Sequence, residues 1–134
     1  QKGSTVIRFP ASVAFAAGSE RLGPDFEAAL EKLLGVLEES EGEIIVAGHT
    51  DDRPISTQRF RSNWDLSTAR AVSVIHYITK HSDIDISRLA AQGMADSRPL
   101  AANDSPENRA KNRRVEITIS DGAEEVLEAL PDNN

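Results

Sequence analysis

Glu43-Ile44-Ile45-Val46-Ala47-Gly48-His49 is the stretch on which the fold turns. Ile44 to Ala47 is an unbroken apolar run, which predicts a strand buried in the middle of a sheet. Upstream, Gly23-Pro24-Asp25 opens a helix with proline near its first turn. Phe26, Leu30, Leu33, Leu34 and Leu37 then recur at three- and four-residue steps, an amphipathic stripe that Glu41-Gly42 closes. Downstream, Thr50 to Asn63 is polar and holds Pro54, so it reads as a long excursion. A second helix is expected from about Leu66 to His81, with Asp65 or Ser67 as its N-cap. Its buried stripe is Ala71, Val74, Ile75 and Ile78.

Farther out, Thr5 to Phe9 reads as a strand ended by Pro10, which Val13 to Phe15 continues after a break. Ala17-Gly18-Ser19 is a turn. Leu89 to Met94 is a short strand, and Pro106 marks a helix start within the polar segment Asn103 to Lys111. Val115, Ile117 and Ile119 alternate with Glu116, Thr118 and Ser120, the clearest strand signal in the chain. The order predicts an α+β domain: a mixed four-strand sheet with the helices packed on one face. Residues 1–4 read as a linker remnant, 5–120 as the domain and 121–134 as an acidic tail. In that tail Ala123, Val126, Leu127 and Leu130 form either one short amphipathic helix or a frayed end.

A chain of 134 residues, 39% of them apolar, can bury one core without staples. Its 22 acidic residues outnumber 15 basic ones, which argues against nucleic acid and anionic membrane surfaces as partners. The lack of cysteine excludes disulfides, thiol catalysis and thiolate zinc sites. No apolar run is long enough to cross a bilayer. The start at Gln1-Lys2-Gly3, without Met, reads as a fragment of a longer protein.

The chemistry concentrates where the buried strand ends. Gly48-His49-Thr50-Asp51-Asp52 leaves the strand at its C-terminal edge, where α/β arrangements place ligands. The next helix begins near Asn63-Trp64-Asp65-Leu66-Ser67 and carries Arg70 in its opening turns. A helix start offers free N–H groups, and Arg70 beside it completes an anion site. Asp51 supplies a carboxylate nearby. Together they suit a zwitterion, the ammonium on Asp51 and the acid group on the guanidinium. Plainer readings exist. Asp51 could cap a turn, Arg70 could form a resting ion pair with it, and Trp64 could be a packing anchor. Asn112-Arg113-Arg114 reads as a local salt bridge or anion contact. His49 and Asp51 share a face but lack the second cluster a metal needs, so neither metal nor cofactor is expected. Asp51 and Asp52, being adjacent, cannot flank one scissile bond, and no catalytic motif is present. A glycan-hydrolysing enzyme is therefore a distant alternative.

Three stretches in order make the chain resemble the OmpA-like peptidoglycan-binding family. They are Gly48-His49-Thr50-Asp51, Asn63 through Leu66-Ser67 to Arg70-Ala71, and Asn108 through Arg113-Arg114 to Glu116. Within the family, Asp52-Arg53-Pro54-Ile55-Ser56 and Phe60-Arg61-Ser62-Asn63-Trp64 resemble the periplasmic domain of MotB-type flagellar stator proteins. The resemblance implies a βαβαβ-type core and non-catalytic binding of the diaminopimelate group in the peptide stem of peptidoglycan. Asp51 and Arg70 would be the contacting pair, with Thr50, Asn63, Leu66, Ser67 and Arg114 at flanking motif positions. It further implies a periplasmic location, a homodimer and a MotA-type membrane subunit as partner. An anchor of another envelope complex (an outer-membrane protein, a secretion system or a transporter) shares much of the pattern.

Overall fold

A computed structural model describes residues 3–120; the tail with Ala123, Val126, Leu127 and Leu130 lies outside the described residues. The elements are β1 (Ser4–Pro10), a single helical turn α1 (Ala11–Ala14), α2 (Pro24–Glu39), β2 (Glu43–His49), α3 (Asn63–His81), β3 (Leu89–Gly93), α4 (Pro106–Asn112) and β4 (Arg114–Ser120). They form a four-stranded sheet in the order β1-β4-β2-β3. β4 runs antiparallel to both β1 and β2, whereas β2 and β3 are parallel, joined through α3. The mixed α+β architecture is the one expected.

The alternation in β4 sends Val115, Ile117 and Ile119 into the core, as expected. They meet Ile44 and Val46 of β2, the stripe Phe26, Leu30, Leu34 and Leu37 of α2, and Ala71, Val74 and Ile78 of α3. Aromatics are few, but three share this core. Phe26 receives the edges of Phe9 and Phe15, with ring centroids 4.9 and 5.6 Å away.

Three local expectations are corrected. Val13 to Phe15 does not continue the first strand. Pro10 ends the ladder, and Ala11–Ala14 makes one helical turn that buries Ala11 and Ala14. The second helix begins at Asn63 rather than Leu66, and its N-cap is neither Asp65 nor Ser67. Ser62 takes that role, its hydroxyl accepting from the N–H groups of Trp64 and Asp65 at 3.2 and 3.4 Å. Trp64 is no packing anchor either; it stands 54% exposed on the first turn.

α3 lies against β2 and β3 with almost no space between backbones. A Cβ built on Gly48 would sit 3.1 and 3.2 Å from the carbonyl carbon and Cα of Ser67. One on Gly93 would sit 2.6 and 2.7 Å from the backbone N and Cα of Thr68. The two glycines occupy paired positions in the parallel ladder, so together they make the floor on which the first turns of α3 rest. This contact sets the distance between the end of β2, which leads to Asp51, and the helix that carries Arg70.

Candidate ligand-binding site

The end of β2, the loop that follows it, the start of α3 and the residue before β4 enclose a cleft of about 390 Å³. Thr50, Asp51, Asn63, Leu66 and Arg70 line it, as do Arg53, Pro54, Ile55 and Arg113. Asp51 and Arg70, placed together on sequence grounds, thus face one hollow. They do not rest as a pair. The Asp51 carboxylate is held by Arg113, whose Nη1 donates to Oδ2 at 2.6 Å. The backbone N–H of Arg53 donates to its Oδ1 at 3.0 Å, and the exposed Arg53 guanidinium lies 3.4 Å from Oδ2. Asp51 is therefore both a turn former and a charge facing the cleft.

Arg70 is held from behind. Its Nε donates to the carbonyl of Ser19 at 2.7 Å, its Nη2 reaches the carbonyl of Ala16 at 3.4 Å, and its guanidinium stacks 4.8 Å from the centre of the Phe15 ring. Burial pulls its pKa down to about 10, with Glu20 opposing and Arg113 reinforcing the shift. It remains cationic at neutral pH. With Nε committed to the loop after α1, the Nη edge is what remains for a ligand.

The helix start contributes less than expected. Ser62 already occupies two of the first N–H groups of α3, so the positive groups facing the cleft are mainly guanidiniums. Among the lining residues three guanidiniums face one carboxylate. In a chain of net charge -7 this is a local positive excess, suited to a ligand with more acid than ammonium groups.

The other expected positions divide. Thr50 and Leu66 line the cleft, with the Thr50 hydroxyl donating to the Asp51 carbonyl at 2.8 Å. Asn63 lines it too, but its amide nitrogen is spent on the carbonyls of Arg53 and Asp51 at 3.0 and 3.4 Å, clamping the loop to the helix. Ser67 is fully buried beneath the cleft. Its hydroxyl accepts from the N–H of Ala95 at 3.1 Å, and the Ala95 carbonyl accepts from the N–H of Thr50 at 2.8 Å. Ser67 therefore positions Thr50 and has no surface of its own in the cleft. Arg114 points away from the cleft: it donates to Glu116 at 2.7 Å and to the carbonyls of Asn112 and Arg98. Its neighbour Arg113 lines the cleft instead. Strand alternation carried this signal, since consecutive residues at a strand start face opposite ways and Arg114 shares its face with Glu116.

His49 also turns away from Asp51. Its imidazole is buried 3.8 Å from Glu116 and beside Arg114, and neither ring nitrogen has a hydrogen-bond partner among the described residues. Burial, then the Arg114 charge, lowers its pKa from 6.5 to about 4, against the pull of Glu116. The sign follows directly. The unfolded chain takes up this proton as pH falls through 6.5, the folded chain only near 4, so His49 should remove stability across that window. Urea unfolding of the parent and His49→Gln at several pH values between 7 and 4 checks this. The parent should lose ground to the variant as pH falls; a constant difference would refute it.

A model of the OmpA family matches residues 14–113. Uncharacterized protein YtxE of Bacillus subtilis is 40% identical over 114 residues, covering 85% of this chain and 47% of that protein. Motility protein B of the same organism is 42% identical over 76 residues, 57% of this chain and 29% of its own. This chain thus spans less than half the length of either relative. Among solved structures, a putative MotB like protein from Desulfovibrio vulgaris superposes with a TM-score of 0.83 at 36% identity, covering 90% of this chain and 78% of that one. The cell wall anchor of the T6SS from Pseudomonas aeruginosa gives 0.80 at 38% identity, covering 88% and 82%.

Proposed function

This chain belongs to the OmpA family, and on that premise we propose that it binds the peptide stem of peptidoglycan and anchors a larger envelope protein to the cell wall. The observation that carries the reading is the convergence of Asp51, Arg70 and Arg113 on one cleft. The free end of a diaminopimelate residue bears an ammonium and a carboxylate. The ammonium pairs with Asp51, displacing the exposed Arg53 guanidinium, and the carboxylate lies on the Nη edge of Arg70. Arg113 holds the Asp51 carboxylate in place at the cleft. Binding is non-catalytic: Asp52 beside Asp51 is exposed and outside the cleft, which leaves Asp51 without a second carboxylate across a bond among the described lining residues. Release of muropeptides from purified wall would overturn that point.

The parent is a MotB-like stator component of the periplasm, a homodimer working with a MotA-type membrane subunit. Support comes from the likeness to Motility protein B and from Arg53, Pro54 and Ile55, the loop residues that line the cleft. The Pseudomonas aeruginosa cell wall anchor favours a second reading, the anchor of another envelope complex, in which the cleft does the same work.

Asp51→Asn tests the site. It keeps the shape but loses the charge that meets the ammonium. Charge-assisted hydrogen bonds contribute about 1.5–3 kcal/mol, so affinity should fall roughly ten- to a hundredfold. Co-sedimentation with purified sacculi, alongside calorimetry with free meso-diaminopimelate, measures it, with thermal unfolding as the control. Undiminished binding by Asp51→Asn would sink the reading. Arg70→Lys is the poorer probe, because it also releases the Ser19 and Ala16 carbonyls and leaves Phe15 unstacked.

A further inference from the structure

A second hollow, about 310 Å³, opens on the same edge of the sheet, on the far side of Arg113. Its floor is apolar, made by Phe9 and Pro10 at the end of β1, Ala110 of α4 and Leu100. Leu100 is 49% exposed there, so its side chain is open to a ligand. The rim is basic throughout. Arg8 and Arg114 stand on one side, both turned to Glu116, and Lys111 is exposed on the other, with no ion-pair partner among the described residues. Arg113 lines this hollow and the Asp51 cleft alike, so the two adjoin at that residue.

We propose that this shelf is a second subsite, continuous with the first, for the part of the stem peptide that adjoins the diaminopimelate. The inference rests on the peptidoglycan reading of the Asp51 cleft. Two properties of the shelf select the occupant. The floor has room for small aliphatic groups and offers few polar partners, which fits alanyl methyls and not a sugar. The rim calls for a carboxylate, and the stem carries one free on its γ-linked glutamate and another on a terminal alanine. A short acidic peptide with methyl side chains has both. The acid groups also answer the positive excess of the first cleft.

The test compares two ligands on the whole chain by calorimetry: free meso-diaminopimelate, which reaches only the Asp51 cleft, and the stem peptide L-Ala-γ-D-Glu-meso-diaminopimelate-D-Ala. The peptide should bind about tenfold tighter than the free amino acid, the worth of one further charge-assisted contact with some apolar burial. Lys111→Glu and Leu100→Ser should each erase most of that advantage while leaving free diaminopimelate binding unchanged. Neither side chain is buried, so the fold tolerates both changes. If the peptide binds no tighter than the free amino acid, the shelf is not a subsite, although the first cleft stands. If neither ligand binds, the peptidoglycan reading falls and the shelf with it. If Leu100→Ser leaves the ligand preference intact and instead dissolves a dimer in sedimentation, the shelf covers a second copy of the chain and the proposal is overturned.

Discussion

Gly93→Ala should destabilise this domain by about 3 kcal/mol or more, with Gly48→Ala close behind, although each adds a single methyl group. The reason is what the methyl meets. Overpacking is mild when a flexible side chain can swing aside, but at both positions the neighbours include the backbone of α3 itself, at Thr68 and Ser67. Relief requires lifting the helix off β2 and β3. That would cost burial of Ala71 and Val74, which the same face of α3 presses into the core. The injury should reach the site as well. Asp51 follows Gly48 by three residues and Arg70 follows Ser67 by three, so a lifted helix separates the two groups that share the cleft. Urea unfolding checks the stability, and sacculus binding of the fraction still folded checks the geometry. Gly93→Ala within about 1 kcal/mol of the parent would show that the close approach is not as tight as drawn.

That contact marks a boundary in what the sequence makes legible. Periodicity reports which residues lose water: the alternation of Val115, Ile117 and Ile119, the stripe of Phe26 through Leu37 and that of Ala71, Val74 and Ile78 locate the core and the two long helices. It is silent about distance. Nothing in Gly48 or Gly93 as letters says that a helix backbone touches them. The site divides in the same way. Asp51 and Arg70 stand out because a strand end and a helix start must meet at a sheet edge, and the cleft does hold both. What each is bonded to depends on chain segments far off in sequence. Arg113 is 62 positions from the carboxylate it holds, and Ser19 is 51 positions from the guanidinium it anchors. Motif position ranks Arg114 over Arg113 because it takes no account of facing, which alternation from Glu116 supplies. The cap at Ser62 is not legible because the polar excursion offers several capping residues in a row, and only the entry direction of the chain selects one.

Asn112→Ala should cost about 3 kcal/mol, a large loss for a polar residue outside any ligand contact. Asn112 ends α4 with its side chain fully buried, and every atom of its amide is used. Oδ1 accepts from the N–H groups of Leu100 and Ala101 at 2.7 and 3.0 Å; Nδ2 donates to the carbonyl of Ala101 and to Oδ1 of Asn103 at 2.9 and 2.8 Å. One amide thus stands in for a strand partner along an otherwise irregular segment. Alanine would remove the partner and leave backbone groups dry and unpaired, the expensive half of hydrogen-bond energetics. A second variant separates this account from simple loss of packing. Asn112→Asp keeps the volume and the acceptor facing Leu100 and Ala101, but turns an anionic oxygen toward two other oxygens where the donor was. Its protonated form restores one donor. The folded state therefore holds that proton more tightly than the unfolded chain, whose carboxyl titrates near pH 3.9, so the deficit against the parent should grow as pH rises from about 4 to 7. Paired urea melts at the two ends of that range measure it. A deficit independent of pH would mean that Asn112 serves by shape alone. The growing deficit would establish that a buried amide fixes the segment bearing Leu100, and with it the outer wall of the basic shelf beside Arg113.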